Sequence, residues 1–151
     1  MNRMPREDRV GRVGGWLAAA IVLGAAGAAS AEPQRVRLDD ETVVNGIGVG
    51  CTGIGETKNQ PRWQAYPVRL EFADQKSNYL AGEEVTVSNA KGEALLDVTC
   101  EGPWVVVKLP PGQSYKAEAR LVPPTDEVRS ATVKAPPKGQ TRFVFTFKGA
   151  D

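Results

Sequence analysis

Apolar and polar residues alternate with a period of two from Val68 onward. Val68, Leu70 and Phe72 alternate with Arg69 and Glu71, which places the apolar side chains on one face of a strand and the charged ones on the other. Similar alternation, or a short apolar run, recurs along the rest of the chain. It predicts seven strands, at 68–72, 84–88, 94–100, 104–109, 115–121, 128–133 and 143–147.

Turn residues separate these segments at short intervals. Pro110-Pro111-Gly112 fits a type II turn, in which proline sets φ and glycine takes the left-handed position. The apolar run that begins at Trp104 has no polar alternation, which favours a strand covered on both faces. Residues 32–151 show no apolar period of 3.6 residues of useful length. The pattern predicts an all-β fold, a seven-stranded antiparallel β-sandwich over residues 66–148.

Residues 32–65 are predicted to be a flexible leader followed by a glycine-rich loop. In the leader, Val43 and Val44 favour at most one short edge strand. Five glycines then lie between positions 46 and 55. A phosphate-binding loop needs a helix directly after it, whereas here a polar stretch ends at Pro61. We therefore interpret the segment as a loop or an irregular edge strand anchored by Cys51.

The first 31 residues have the composition of a secretory signal peptide. Four arginines precede an uncharged segment that starts at Val13 and ends in Ala29-Ser30-Ala31, a small-x-small motif at which signal peptidase cuts. The alternative is a membrane anchor, which needs about 20 apolar residues, but the second half of this segment is mostly glycine, alanine and serine. We expect cleavage near Ala31, no stable membrane span afterwards, and a periplasmic or secreted protein.

The charge balance argues against a nucleic-acid partner. Removal of residues 1–31 would take four basic and two acidic residues from totals of 19 and 18, which leaves 15 and 16 and a net charge of −1. Nucleic-acid-binding proteins usually carry a basic surplus that neutralises phosphates. The remaining chain has neither a surplus nor long blocks of one sign.

Cys51 and Cys100 are the two cysteines of the chain. In an exported protein, the oxidising compartment favours a disulfide between them. Two free thiols are the alternative, and a redox function has less support because the chain contains no Cys-x-x-Cys motif. We predict a structural Cys51–Cys100 disulfide whose reduction lowers the melting temperature without abolishing the fold.

The chain contains no histidine, which excludes Ser-His-Asp and Cys-His catalysis and removes the usual zinc and copper ligands. Carboxylate chemistry remains. Glu83 and Glu84 are adjacent and would point to opposite faces of a strand, and the Asp-Asp-Glu run at 39–41 lacks the ligand spacing of a calcium loop. Both groups are interpreted as solvated surface. We predict no catalytic residue, no cofactor and no metal site.

Three aromatic residues are candidates for ligand binding: Trp63, Tyr79 and Trp104. Trp63 lies in a polar stretch, where it either packs over the end of the sandwich or lines an exposed patch. Trp104 has a core position as its alternative, because it begins an apolar strand. Flat rings with one polar atom suit the recognition of a sugar or a peptide.

Several short motifs resemble the carboxypeptidase regulatory-like group of transthyretin-type β-sandwiches. The motifs are Tyr-Leu-Ala-Gly-Glu-Glu-Val-Thr-Val at 79–87, Lys91-Gly92, Gly102-Pro103-Trp104, and Leu-Pro-Pro-Gly-Gln-Ser-Tyr-Lys-Ala at 109–117. The likeness covers residues 68–147, and the chain is similar to small exported bacterial proteins that carry only this domain. The resemblance implies a Greek-key, transthyretin-like sandwich that serves as a folding, spacing or binding module, without a peptidase domain.

These features favour a monomeric, non-enzymatic, exported accessory module that binds another envelope protein through a sheet edge or a loop patch. The alternative is a carbohydrate-binding module that uses Trp63, Tyr79 and Trp104 as stacking platforms. A hydrolase that uses carboxylates alone has the least support, since the spacing brings no pair of carboxylates together.

Overall fold

The computed structural model describes residues 32–121 and 126–148. The predicted signal peptide, residues 1–31, lies outside these described residues. The described residues form one compact unit of two β-sheets with five strands each, which confirms the all-β class and the two-sheet arrangement. None of the helices in the two ranges is long and apolar enough to span a membrane.

The two sheets account for the ten strands of the described residues. In spatial order, sheet A contains β1 (Gln34–Val36), β6 (Ala94–Cys100), β5 (Glu84–Ser88), β8 (Ser114–Arg120) and β9 (Val128–Lys134). Sheet B contains β10 (Thr141–Phe147), β4 (Val68–Asp74), β7 (Trp104–Val107), β3 (Ile47–Thr52) and β2 (Glu41–Val44). A 3₁₀ turn, Glu56–Asn59, and the short helix α1, Pro61–Gln64, lie between β3 and β4.

All seven predicted strands occur, as β4 to β10, with ends that differ by at most two residues. Strand β7 lies between β4 and β3 and is buried along its whole length, as its unbroken apolar run predicts. Gly112 has a φ of 83°, which confirms the left-handed turn position ahead of β8. Local pattern and turn chemistry therefore fix this part of the fold.

The predicted count of seven strands and the purely antiparallel arrangement are wrong. Both sheets are mixed, since β1 pairs with β6 in parallel and β10 pairs with β4 in parallel. The other neighbouring strands are antiparallel. The three further strands, β1 to β3, lie in the segment predicted as a leader and a glycine-rich loop. A pairing such as β10 with β4 joins segments far apart in sequence, so no local signal gives its direction.

Strand β3 shows little alternation of apolar and polar residues because glycine fills two of its three outer-face positions. Val49 and Cys51 are fully buried, whereas Gly48 and Gly50 alternate with them. Glycine is also depleted in strands, because it has no side chain to pack. Strand β3 nevertheless pairs with both β7 and β2. The segment predicted as a loop or an irregular edge strand therefore contains an interior strand. Strand β2, which includes Val43 and Val44, is an edge strand of sheet B, as the sequence of the leader favours.

The core lies between the inner faces of the two sheets. Leu70 and Phe72 of sheet B and Val85 of sheet A are fully buried there. The Cys51–Cys100 disulfide joins β3 to β6 and so connects the two sheets, with the two Cα atoms 5.6 Å apart. The predicted pairing is confirmed, and both cysteines belong to the core.

Candidate functional site

The outer face of sheet B carries a cluster of aromatic and charged side chains. Five residues define this Arg–aromatic cluster: Arg69, Glu71, Tyr79, Trp104 and Arg142. In β4, the residues that face the core alternate with Arg69 and Glu71, which therefore lie on the outer face. Tyr79 and Trp104, two of the three aromatic residues predicted to bind a ligand, belong to the cluster.

Strand register brings these residues together although they are far apart in sequence. Arg142 of β10 lies opposite Arg69 of β4, and Glu71 of β4 lies opposite Trp104 of β7. Tyr79 joins them because an isolated bridge pairs it with Ala73, near the end of β4. Since adjacent strands lie about 4.8 Å apart, neighbouring side chains on this face can touch.

A buried carboxylate, that of Glu71, holds both arginines. Glu71 is 1% exposed. Arg142 donates to Glu71 Oε2 through Nε at 2.8 Å and lies within 2.6 Å of the same oxygen through Nη2. Arg69 Nε lies 2.9 Å from Glu71 Oε1, in a charge contact whose N–H direction does not meet hydrogen-bond geometry.

The carboxylate compensates for an unfavourable pair. Like charges directly opposite each other destabilise a sheet, and Arg69 and Arg142 are such a pair. The hydrogen bond to Glu71, followed by the negative charge of Glu71, raises the pKa of Arg142, and the nearby Tyr79 side chain acts in the same direction. Glu71 therefore allows two guanidinium groups to lie side by side on the surface.

Trp104 is enclosed by two cations and by Tyr79. The Arg69 guanidinium lies 4.4 Å from the centroid of the Trp104 ring, and the Lys58 ammonium lies 5.9 Å from it. Tyr79 meets the same ring at its edge, with centroids 6.4 Å apart and planes at 77°. Such cation–π and edge-to-face contacts are favourable. Trp104 is 8% exposed and Tyr79 is 50% exposed, so Tyr79 is the ring of this pair that solvent reaches.

The structure removes Trp63 from the predicted ligand-binding set. Trp63 is 2% exposed and packs with Tyr66 and Val106 in a small second core. Its Nε1 donates to the Thr57 carbonyl oxygen at 2.9 Å, and the Arg62 guanidinium lies 4.1 Å from its ring centroid. Of the two alternatives that the sequence left open, packing over the sandwich is the one observed, although over a sheet face rather than an end. The ring has no open face for stacking.

Hydrogen bonds fasten the segment that carries Trp63 to its surroundings. Tyr66 donates from its hydroxyl to Glu41 Oε1 at 2.5 Å, and Arg62 Nη1 lies 3.3 Å from Glu41 Oε2. Burial, together with the hydrogen bond and the charge of Glu41, raises the pKa of Tyr66 well above its ordinary value. Gln140 Nε2 donates to the carbonyl oxygens of Trp63 and Tyr66, both at 2.9 Å. Glu41, one residue of the acidic run 39–41, is therefore held in contacts with Tyr66 and Arg62.

Replacing Gly50 with alanine should destabilise the protein by about 2 kcal/mol, because a new side chain would overpack this second core. A Cβ atom at Gly50 would lie 2.6 Å from the Trp63 ring and 2.8 Å from a Val106 methyl group. Gly48→Ala is the matched control, since a Cβ there meets only the flexible Lys108 side chain, at 3.0 Å. Urea unfolding followed by tryptophan fluorescence measures both variants. Equal midpoints would show that Gly50 does not determine this packing.

Sequence reasoning did not identify Glu71 and Arg142 as members of a site, and it assigned Glu83 to the surface. Glu83 is 1% exposed, so that assignment is wrong. The alternation of β5 could have predicted the burial of Glu83. Val85 and Val87 are buried, and Glu83, two positions before Val85, belongs on the same face. For Glu71, the outer-face position follows from the pattern, but its burial depends on Trp104 and the two arginines.

The Arg–aromatic cluster is equipped for binding rather than for proton transfer. It offers guanidinium donors and a half-exposed phenol ring, while both oxygens of its one carboxylate contact arginines. Within residues 32–121 and 126–148, no three His, Cys, Asp or Glu side chains are grouped so that they could hold a metal ion. Comparison with known proteins adds no assignment, since no protein-family model matches the chain and no curated protein matches it.

Proposed function

We propose that this protein is a non-enzymatic, exported accessory module that binds an envelope protein through the Arg–aromatic cluster. The observation that carries the proposal is the half-exposed Tyr79 ring set against Trp104, with the Arg69 guanidinium stacked on the same indole. Trp, Tyr and Arg are the residues that dominate the binding energy of protein interfaces. Here they are held by β-strands and a buried carboxylate, so little ordering of side chains is needed on binding.

The carbohydrate-binding alternative has less support from the same geometry. A sugar stacks on an open aromatic face, whereas Arg69 and Lys58 lie over the Trp104 ring and Arg62 lies over the Trp63 ring. Tyr79 is the one predicted platform that is half exposed. A single open ring next to two arginines suits a protein contact better than a row of stacked sugars.

Export and family membership are parts of the proposal. The Cys51–Cys100 disulfide supports an oxidising compartment, periplasmic or extracellular. Two facing sheets and the turn at Gly112 are compatible with a Greek-key, transthyretin-type sandwich of the carboxypeptidase regulatory-like group. The three additional strands and the two parallel pairs depart from the simple seven-stranded pattern.

Changing Tyr79 to alanine should weaken binding of the protein partner about 30-fold, as expected when an interface residue worth about 2 kcal/mol is truncated. The tagged, exported protein is first used to capture the partner from its own envelope extract, and affinities are then measured with the purified partner. The fold should persist, because Tyr79 lies at the surface. Circular dichroism checks this.

Val43→Ala is the control for this experiment. Val43 is 67% exposed on the edge strand β2, at the opposite edge of sheet B from β10, and the variant should bind like the parent protein. If Val43→Ala weakens binding and Tyr79→Ala does not, the contact is made by the β2 edge and the Arg–aromatic cluster is not the interface.

A further inference from the structure

The Arg–aromatic cluster has a surplus of positive charge. Arg69, Arg142 and the neighbouring Lys58 stand against the single carboxylate of Glu71. Arg142 is the more open of the two arginines, with 55% of its side chain exposed, while 25% of the Arg69 side chain is exposed. A partner group can therefore reach both guanidiniums from the same side of the sheet.

The unsatisfied polar groups at this site are mainly donors. Among residues 32–121 and 126–148, nothing accepts a hydrogen bond from the buried Nε1 of Trp104, whereas Nε of Arg69 and Oε1 of Glu71 lie 2.9 Å apart outside hydrogen-bond geometry. The contacts with Glu71 involve Nε of Arg69 and both Nε and Nη2 of Arg142. Buried donors usually have partners, and charged oxygens are the strongest acceptors for guanidinium groups.

From this charge and donor pattern, we infer that the partner presents an acidic segment whose carboxylate binds between Arg69 and Arg142, with an apolar side chain packed on Tyr79. The inference rests on the proposed function and names the chemistry of the partner's contact segment. Val144, which is opposite Glu71 in the register and 36% exposed, extends the apolar area beside the arginines. Glu71 holds the two arginines in place, so they are ready for the carboxylate before the partner arrives.

The experiment is an NMR titration of the full exported protein with a short acidic peptide, acetyl-Asp-Glu-Phe-Asp-Glu-amide. The matched control is the neutral peptide acetyl-Asn-Gln-Phe-Asn-Gln-amide. We expect the acidic peptide to shift the Trp104 indole N–H and the arginine Nε–H signals, and the neutral peptide to leave them in place. Raising the salt concentration from 50 to 300 mM should weaken the binding, because exposed charges are screened. A third peptide with a free C-terminus distinguishes a terminal carboxylate from side-chain carboxylates as the preferred source.

Arg142→Gln should weaken binding of the acidic peptide about tenfold, which corresponds to the loss of one exposed charge contact. Arg142→Lys should retain part of the affinity. Lys116→Gln removes a positive charge from an exposed position on the outer face of sheet A and should change nothing. The same three variants are then tested against the captured partner.

Two outcomes would overturn the inference. In one, the acidic and neutral peptides bind equally well, or Arg142→Gln has no effect, while Tyr79→Ala still weakens binding of the partner. The proposed function then stands and the acidic segment is excluded. In the other, a polygalacturonate oligosaccharide shifts the same signals and the acidic peptide does not, which assigns the cluster to an anionic glycan and excludes both the acidic segment and the protein partner at this cluster.

Discussion

Replacing both Cys51 and Cys100 with alanine should lower the free energy of unfolding by about 4 kcal/mol. The two cysteines are 49 residues apart in sequence, and a closed loop of that length removes this much conformational entropy from the unfolded chain. Since single domains are stable by about 5–15 kcal/mol, the loss is large, but the fold should persist at room temperature.

The position of the disulfide gives a second, structural reason to expect this loss of stability. It connects β3 of sheet B with β6 of sheet A, and both cysteines are fully buried. The Gly102 backbone N–H donates to Cys51 Sγ at 3.1 Å, and Gly102 lies two residues before Trp104. The disulfide therefore supports both the sheet-to-sheet contact and the turn that leads into the Arg–aromatic cluster. We expect the double variant to show altered tryptophan fluorescence as well as reduced stability.

Urea unfolding of the parent protein, with and without reductant, measures the effect. The double alanine variant is the control, because reductant should leave its unfolding curve unchanged. Identical curves for the reduced and oxidised parent protein would contradict a structural role for the disulfide. A variant that unfolds completely without urea would show that the core cannot form without this connection.

The seven strands from β4 to β10 could be predicted because each has a local signature. Alternation with a period of two, or a short apolar run, reports which face of a strand meets the core, and glycine at Gly112 reports a turn with positive φ. The disulfide could be predicted from the number of cysteines and the expected compartment. These features depend on neighbouring residues or on composition, which the sequence displays directly.

Strands β1 and β3 and the two parallel pairs could not be predicted in the same way, whereas Val43 and Val44 did indicate the short edge strand β2. Gly48 and Gly50 occupy the outer positions of β3, where polar side chains would otherwise complete the alternation. Gly50 is glycine because the Trp63 ring lies against it, and that contact depends on a segment that crosses the sheet after β3. Trp63 is buried for the same reason, since this segment places its ring against Gly50.

The candidate site was predictable only in part. Tyr79 and Trp104 were identified as aromatic candidates, but their contact depends on the bridge between Tyr79 and Ala73. Arg142 reaches the site through the parallel pairing of β10 with β4, which is a non-local event. Whether an outer-face charge such as that of Glu71 is solvated or buried depends on such neighbours and not on its own sequence position.

Glu83 gives the second large effect, a loss of stability as the pH rises. Its side chain is buried, and its Oε2 has no hydrogen-bond partner among the described residues. The backbone around it is fixed to β6, since Cys100 N donates to the Glu83 carbonyl oxygen at 3.2 Å and Gly82 N donates to the Cys100 carbonyl oxygen at 2.8 Å. Burial without a charged partner disfavours the carboxylate form and raises the pKa of Glu83 from 4.5 to about 7.

A carboxyl group with a raised pKa favours the folded state more at low pH than at high pH. At low pH it is protonated in both the folded and the unfolded state, so its burial carries no cost of ionisation. The stabilisation is lost as the pH rises from about 4.5, where the unfolded chain ionises, to about 7, where the folded protein ionises. Since one pKa unit corresponds to about 1.4 kcal/mol, the parent protein should lose about 2 to 3 kcal/mol between pH 5 and pH 8.

Glu83→Gln should remove this loss, because the amide stays neutral at every pH. We expect the variant and the parent protein to differ little at pH 5, and the variant to be more stable at pH 8 by about 2 to 3 kcal/mol. Glu84→Gln is the matched control, since Glu84 is the adjacent residue on the opposite, outer face of β5, and it should keep the pH dependence of the parent protein. Urea unfolding at pH 5, 6, 7 and 8 gives the comparison. Parallel profiles for Glu83→Gln and the parent protein would mean that Glu83 ionises equally in the folded and unfolded states, and its burial would then not be the source of any pH dependence.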